Sequence, residues 1–496
     1  MGADMQEATA ASRPTSRPKG PRLVGLDMLR GLTMVVMLLV DYTGGCYPAI
    51  NHAPRNGLHL ADLVMPFFLW VSGLSMSISV RVRPGDSRMG VFLQVGKRAL
   101  RLFVLGIVVQ GSWFHVEDGV PTLHLDLSSV RIMGILQRIA IAFIVVAAAE
   151  IFVPEFSRFR HYASARPLLV TDGAEAQTEQ NPLAHQRGTF GLWIFGVRAY
   201  KAIIAVVLVV LGTCLTYGVT PPQSWPGCAA TVYHCGAGDS PTERSCKDPG
   251  GDELRTMGCS AVSYLDSKIL GINHVYVRGS DRPSWPPTWG FDPEGLVTSL
   301  SAVFPMYFGL HVGCVWRELK DVKGAIVHWV CIGALAVVCA LLLSVWVPLN
   351  KRLWSPSYSL LNCGIATLTY ACLFGFIDGG TPSGTRAARL RDWGKVVLAP
   401  LQWLGTNCIL FFVLSDCCGV LDWLLRSLTW GVPYGEKNLM YWFQSIFLMK
   451  WLHLGNSCTG GYDDCGPARM VYVWIQIVSW MLVCGVLHRK GIFWKI

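Results

Sequence analysis

Residues 25–75 read GLDMLRGLTMVVMLLVDYTGGCYPAINHAPRNGLHLADLVMPFFLWVSGLS. Two apolar runs flank a short polar segment, and each run is close to the roughly 20 residues that a helix needs to cross a bilayer. Gly44 and Gly45 are typical of a helix end, and Pro48 and Pro54 keep the intervening segment out of helix. The stretch therefore predicts two membrane-spanning helices joined by a polar loop.

The composition of the whole chain extends this pattern. Of 496 residues, 52% are hydrophobic and only 15% are charged, whereas soluble proteins carry about 25% charge. So apolar a chain is not intrinsically disordered. The net charge of +10 mostly sets topology in a membrane protein, so we predict no nucleic-acid binding. The predicted fold class is an all-α polytopic protein embedded in the lipid bilayer.

We predict about ten transmembrane helices. They lie at 26–44, 61–80, 99–114, 132–153, 199–218, 298–316, 325–347, 358–378, 397–418 and 470–488. A further stretch, 438–453, is interpreted as a re-entrant or interfacial helix near the C-terminus, because an eleventh span would place the two basic termini on opposite sides. Residues 1–22 are predicted to be a disordered cytosolic tail, and residues 23–496 form one transmembrane domain.

Basic residues recur in every second loop and at both termini, so the positive-inside rule places both termini in the cytosol. The loops 219–297 and 419–469 then face the lumen. Both hold even numbers of cysteines, which predicts disulfides in an oxidising compartment. These cysteines are Cys228, Cys235, Cys246 and Cys259 in the first loop, and Cys458 and Cys465 in the second. They lack the CxxC spacing of zinc sites, so no metal site is predicted.

The polar loop between the first two spans is the first candidate site. His52 is its natural reactive group, because an imidazole titrates near neutrality and serves as a base or a nucleophile. Asp41, at the outer end of the first span, is close enough along the chain to orient that ring, and Asn51 and Asn56 are candidate substrate-binding residues. A histidine satisfied by a helix cap is the alternative. Asp62 fits either a substrate-binding residue or a first-turn acid of the second helix.

A second constellation lies in SVRIMGILQRIA, residues 129–140. Arg131 and Arg138, at the start of the fourth span, are seven residues apart and are therefore predicted to share a helix face, about two turns apart. With Gln137, they fit the binding of an anionic group or of a carboxylate such as Asp41. A structural ion pair between spans fits equally well, because a guanidinium inside a membrane needs a partner.

Further polar residues stand where apolar ones would suffice. Glu294 follows Asp292 just before the sixth span, and Asn350 precedes Lys351 and Arg352 between the seventh and eighth spans. The two cations depart from the positive-inside pattern. They fit the binding of an acidic substrate or ion pairs with Asp292 and Glu294.

Eight stretches together resemble the heparan-α-glucosaminide N-acetyltransferase family. They run in family order from about residue 22 to 496: GLDMLRGLTM, NHAPRNGLHLADLVMPFF, GILQRIAIAF, YLDSKILGINHVY, FDPEGLVTSLSAVF, PLNKRLWSPSY, WLGTNCILFFV and HRKGIFWKI. Each stretch alone is a weak signal, whereas the ordered combination is specific.

This resemblance implies an enzyme that takes acetyl from cytosolic acetyl-CoA and places it on the amine of a terminal glucosamine in the lysosomal lumen, as in heparan sulfate. The family's active histidine falls on His52, and Asp41 stands where the animal enzymes carry asparagine. Acetyl-CoA is the implied co-substrate, and Arg98 and Arg101 are candidates for binding its phosphates from the cytosol.

The same resemblance implies a lysosomal, vacuolar or other endomembrane location. Animal members carry a lumenal domain and an extra span before the conserved core, so we expect a cytosolic N-terminus here, and a homodimer is left open. The alternative function is a multi-pass sugar or solute transporter, which would show paired broken helices in two related halves. A non-catalytic scaffold would have no reason to collect so many polar residues in one loop.

Overall fold

The computed structural model describes residues 23–43, 47–53, 56–83, 85–110, 114–117, 120–123, 127–128, 130–153, 201–222, 224–225, 259–278, 290–319, 321–379, 384–417, 439, 442–443 and 467–494. The tail 1–22, most of the loop 219–297, nearly all of the proposed re-entrant stretch 438–453, and Cys458 and Cys465 lie outside the described residues. Cys259 is described, and it is disulfide-bonded, as predicted for the cysteines of the loop 219–297.

The described residues are mostly helical. The helices are α1 (Val24–Thr43), α2 (Val64–Ser79, preceded by a 3-10 turn, Leu60–Leu63), α3 (Arg88–Gln110), α4 (Ile135–Phe152), α5 (Lys201–Gly218), α6 (Ala261–Leu270), α7 (Leu296–Leu319), α8 (Val322–Leu343), α9 (Pro356–Ile377), α10 (Arg386–Val397), α11 (Ala399–Thr406), α12 (Cys408–Phe412) and α13 (Pro467–Arg489). Two short antiparallel pairs join Phe114–Glu117 (β1) to Val120–Leu123 (β2) and Val277–Arg278 (β3) to Gly290–Phe291 (β4).

Seven of the described helices are long and apolar enough to cross a membrane: α2 with its 3-10 turn, α4, α5, α7, α8, α9 and α13. This confirms the all-α membrane class, while the count of about ten stays a prediction. α1 has a comparable length of 20 residues but carries Asp27, Arg30 and Asp41. Within it, Arg30 forms an ion pair with Asp27 at 2.9 Å.

The stretch predicted as the ninth span, 397–418, is not one continuous helix. α11 ends at Thr406, α12 begins at Cys408, and a π-helical turn, Val413–Cys417, follows. Asn407 stands at the break, where its side chain accepts the Trp494 N–H and donates to the Ile492 carbonyl, both at 3.2 Å. The buried amide thus bonds to the backbone of residues 492 and 494.

α2 and α7 run parallel and touch backbone to backbone. A Cβ added at Gly73 would overlap the carbonyl oxygen of Met306, and one added at Gly309 would overlap that of Trp70. Small residues permit such close approach of membrane helices. Because the helices are parallel, the residues that precede α2 and those that precede α7 lie at the same end of the bundle.

α9 packs against the same pair of helices. The indole N–H of Trp70 on α2 donates to the hydroxyl of Thr367 on α9 at 3.1 Å. The rings of Trp70 and Tyr370 lie 5.5 Å apart, and Trp329 on α8 packs on Tyr370 at 5.1 Å. This buried aromatic cluster holds the middle of α9 against α2 and α8.

Candidate functional site

The residues before α2 form the first part of the site. Asp62 lies in the 3-10 turn that begins α2, and its side chain is fully buried. One carboxylate oxygen accepts the backbone N–H groups of Ala53 at 3.1 Å and His59 at 2.9 Å. The other oxygen lies 2.9 Å from Nδ1 of His52. Asp62 is therefore the expected first-turn acid, and it is also the carboxylate that orients His52.

These contacts define the tautomer of His52. An ionised carboxylate only accepts hydrogen bonds, so Nδ1 of His52 carries the proton that it donates to Asp62. The lone pair of the neutral ring then lies on Nε2. The His52 side chain is 42% exposed, so a reacting group can reach this nitrogen. A carboxylate, a histidine and a lone pair on Nε2 are the parts that base or nucleophilic catalysis requires.

Lys351 completes this group from the loop between α8 and α9. Its Nζ lies 2.9 Å from Nδ1 and 3.1 Å from Nε2 of His52, and 3.9 Å from a carboxylate oxygen of Asp62. Because Nδ1 donates to Asp62, the hydrogen bond from Lys351 goes to Nε2. Burial lowers the pKa of Lys351, although the charges of Asp62, Glu294 and Asp41 act in the opposite direction.

A tight turn holds Lys351 in place. The side-chain oxygen of Asn350 accepts the Leu353 N–H at 2.9 Å, and the Trp354 N–H donates to the Lys351 carbonyl at 3.1 Å. Trp354 has a φ of 51°, which is rare for a bulky residue and persists only where the surroundings impose it. The amide of Asn350 also donates to Asn56 at 3.2 Å. The turn and the His52 loop therefore form one connected structure.

Arg131 lies in a buried ion pair with two carboxylates. Its guanidinium donates to both oxygens of Asp292, at 3.0 and 2.6 Å, and to Glu294. Of the two alternatives from sequence, the structural ion pair is the arrangement present. The prediction that Arg131 and Arg138 share a helix face was wrong, because Arg131 precedes α4, which begins at Ile135. Both arginines nevertheless reach the residues around the start of α7.

Arg138 connects the two groups of residues. It is fully buried, donates to the Pro293 carbonyl and the Thr298 hydroxyl, and stacks on the ring of Trp354 at 4.6 Å. Trp354 in turn packs on Tyr358 at 5.4 Å, and the Tyr358 hydroxyl donates to the Asp62 carbonyl at 2.6 Å. Burial opposes ionisation of Glu294, but the charges of Arg131, Arg138 and Lys351 outweigh it and lower the pKa of that carboxyl.

Asp41 and Asn51 lie around this cluster in different ways. Asp41 is exposed near the end of α1, and its charge acts on Lys351. Asn51 accepts the backbone N–H of His52 through its side-chain oxygen at 2.8 Å, so it shapes the loop next to the ring. The orienting role that sequence assigned to Asp41 is filled by Asp62.

Gln137, Arg98 and Arg101 do not join the cluster. The amide of Gln137 is fully buried against Gly106 and Gly134 and has no hydrogen-bond partner among the described residues. Arg98 stacks on Phe143 at 5.1 Å, and Arg101 is exposed. The last residue of α3, Gln110, contacts the start of α4. Arg98 lies twelve residues before Gln110, which is about 18 Å along the helix at 1.5 Å per residue.

Sequence reasoning missed the contacts of three residues of the cluster. Lys351 lies by His52 and Asp62, whereas the expected ion pairs of Asp292 and Glu294 are made by Arg131, and Trp354 and Tyr358 were given no role. Lys351 carried a signal, because a cation in this loop breaks the predicted charge pattern, but nothing in the sequence connected it to His52. Trp354 and Tyr358 look like ordinary aromatic residues at the start of a membrane helix. Their roles depend on contacts with Arg138 and Asp62, which are distant in sequence.

No family model matches the chain. Two curated proteins are similar to it along its length, and both bear the name heparan-alpha-glucosaminide N-acetyltransferase. The Homo sapiens protein is 26% identical over 511 aligned positions, covering 100% of this chain, and the Mus musculus protein is 25% identical over 494, covering 97%. The chain spans 62% of the length of each of these relatives.

Proposed function

Since the chain belongs to the heparan-alpha-glucosaminide N-acetyltransferase family, we propose that it is a membrane-embedded acetyltransferase that moves acetyl from acetyl-CoA to the amine of a terminal glucosamine or a related amino sugar. The observation that carries the proposal is the hydrogen bond from Nδ1 of His52 to the buried Asp62. It leaves Nε2 as a base or nucleophile on an exposed side chain at the end of a helical bundle with membrane-crossing helices.

His52 serves the transfer by one of two routes. Nε2 takes the acetyl group itself and passes it to the sugar amine, or it removes a proton from the amine as the amine attacks the thioester. Both routes use the same lone pair, and both need Asp62 to keep the proton on Nδ1. Bound acetyl-CoA supplies an activated acyl group, and the chain supplies the oriented imidazole.

The surrounding polar residues fit an amino-sugar acceptor. The exposed carboxylate of Asp41 attracts the cationic amine of such a sugar. The amides of Asn51, Asn56 and Asn350 offer donors and acceptors of the kind that hydrogen-bond to sugar hydroxyls. Arg131, Arg138, Asp292 and Glu294 support this wall through their buried contacts.

The proposed orientation follows from the loop charges. The positive-inside rule places the His52 loop in the lumen and the basic end of α3 in the cytosol. Arg98 and Arg101 then meet the phosphates of acetyl-CoA from the cytosolic side. The acetyl group crosses within the bundle, because a polyanionic donor does not cross the hydrocarbon core. A lysosomal or other endomembrane location is part of the same proposal.

The test uses the full chain, purified in detergent, with acetyl-labelled acetyl-CoA and glucosamine. Wild type is compared with His52→Ala and with His328→Ala, a control on α8 outside the cluster. We expect labelled N-acetylglucosamine from wild type and from the control but not from His52→Ala. Undiminished transfer by His52→Ala would refute the role of His52. Absence of transfer to any amino sugar by wild type would refute the acceptor class.

A further inference from the structure

Lys351 is the feature of the cluster that the two routes above do not use. It approaches His52 from a loop nearly three hundred residues away, at 2.9 and 3.1 Å from the two ring nitrogens. Its side chain is only 19% exposed. A cation placed this close to a base or nucleophile, and shielded from water, needs a chemical reason, because its long side chain would otherwise extend into solvent.

We propose that Lys351 is a catalytic residue of the transferase, an inference that rests on the proposed function: its ammonium group binds the carbonyl oxygen of the acetyl group and stabilises the oxyanion of the transition state. In the resting protein the ammonium donates to Nε2 of His52. When the acetyl carbon reaches Nε2, the carbonyl oxygen lies within reach of the same N–H donors.

The chemistry balances as follows. A nitrogen, either Nε2 of His52 or the sugar amine, donates its lone pair to the carbonyl carbon, and a C–N bond forms. The C=O π pair moves to oxygen, and Lys351 donates a hydrogen bond to that oxyanion. The pair then returns to restore C=O while the C–S bond breaks, and sulfur leaves with the bonding pair as the CoA thiolate. When the amine attacks directly, Nε2 removes the amine proton and passes it to this thiolate. When Nε2 attacks, the amine then attacks the acetyl carbon of acetyl-His52, the C–Nε2 bond breaks with its pair returning to Nε2, and the proton lost by the amine neutralises the thiolate.

The surroundings of Lys351 favour this role. The acidic groups that act on it are Asp62, Glu294 and Asp41, and the cationic group is Arg138. Burial lowers the pKa of Lys351, and the three carboxylates act in the opposite direction because their charges favour the ammonium form. The turn around Asn350 and Trp354 holds the backbone before the substrate binds, so little reorganisation is needed at the moment of reaction. Preorganised charge of this kind is commonly the largest single contribution to catalysis.

The proposed role is independent of the route. An oxyanion develops whether Nε2 attacks the thioester or the amine attacks it directly, since both reactions pass through a tetrahedral carbon. The lysine therefore affects kcat in either case. It does not bind the CoA phosphates, which enter from the opposite face of the membrane in the proposed orientation.

The experiment compares wild type, Lys351→Met, Lys351→Arg and the control Lys268→Met, which removes an exposed lysine of α6. Acetyl transfer to glucosamine is measured for kcat, KM for acetyl-CoA and pH dependence, and the CoA-dependent shift in Tm is recorded. We expect Lys351→Met to lower kcat by about 10²- to 10³-fold, the usual loss of one oxyanion donor. The KM and the shift in Tm should stay close to the wild-type values.

Lys351→Arg supplies a second readout. A guanidinium keeps its proton at any assay pH, so this variant should retain more activity than Lys351→Met and move the alkaline limb of the kcat profile to higher pH. Wild-type kcat in Lys351→Met would overturn the proposal. So would a joint loss of kcat and of the CoA-dependent shift in Tm that arginine does not restore. Absence of transfer by the wild type itself would refute the proposed function instead.

Discussion

Replacement of Asp62 by asparagine tests the tautomer argument most directly. The substitution keeps the size and shape of the side chain but exchanges one accepting oxygen for an NH₂ donor. In the protein, one oxygen of Asp62 accepts the N–H groups of Ala53 and His59, and the other faces Nδ1 of His52. If the amide oxygen stays with the two backbone donors, the NH₂ group faces His52.

The imidazole must then accept at Nδ1, so its proton moves to Nε2 and the reactive lone pair is lost. The Nδ1 hydrogen bond also loses its charged partner, and a hydrogen bond to a charged group contributes about 1.5–3 kcal/mol. A comparable change, which imposes the wrong histidine tautomer in a serine protease, lowers kcat by about 10⁴. We therefore expect Asp62→Asn to lower kcat for acetyl transfer by about 10²- to 10⁴-fold.

The fold should survive this substitution, because both backbone donors keep an acceptor. The assay is acetyl transfer to glucosamine, with Tm measured with and without CoA. Asp392→Asn is the matched control, since that carboxylate is 64% exposed and pairs with its neighbour Arg391. A kcat for Asp62→Asn within about tenfold of the wild-type value, far from the 10⁴-fold loss of the protease, would refute the assignment of Asp62 as the group that fixes the ring.

Two further predictions concern stability. Burial raises the pKa of Asp266 to about 7 from an ordinary value of 3.8. The folded state therefore binds this proton more tightly than the unfolded state does. The resulting stability is fully present below about pH 4 and is lost as the pH rises through 7. Tm should therefore fall between pH 5 and pH 8, and Asp266→Asn should make this dependence shallower; an unchanged slope would contradict the argument. Gly309→Ala should lower Tm by several degrees, because the new Cβ would overlap the Trp70 carbonyl. The control Gly96→Ala adds a Cβ that meets nothing within 4 Å, so it should leave Tm equal or higher. Equal Tm values for the two variants would disprove the close contact.

The parts of the fold that depend on local sequence could be predicted. Runs of about 20 apolar residues become helices, and Asp62 stands in the turn that begins the second of them, where its side chain accepts the backbone N–H of His59. The candidate role of His52 was readable because its loop is polar at the membrane surface. The Asp27–Arg30 pair was also predictable, since both residues lie within one helical turn.

Features that depend on contacts between distant segments could not be predicted. The sequence contains nothing that directs Lys351 to His52. The carboxylate that was predicted to orient His52, Asp41, is not the one that bonds to Nδ1. Gln137 faces α3 rather than the cluster. The direction of its side chain depends on where α4 begins, just after Gly134. The break at Asn407 is equally hidden, because hydropathy is insensitive to a single amide that bonds to the chain near residue 494.

The backbone contact between α2 and α7 has a mechanical consequence. The loop with His52 and Asp62 stands on one of these helices, and the segment with Asp292 and Glu294 stands on the other. Gly73 and Gly309 each lie against a carbonyl of the other helix, and such close contacts resist sliding. We therefore expect the two helices to move as one rigid unit. We also expect any opening of the bundle at this site to come from the helices around this pair. The imidazole of His52 then keeps its acidic surroundings while the other helices move.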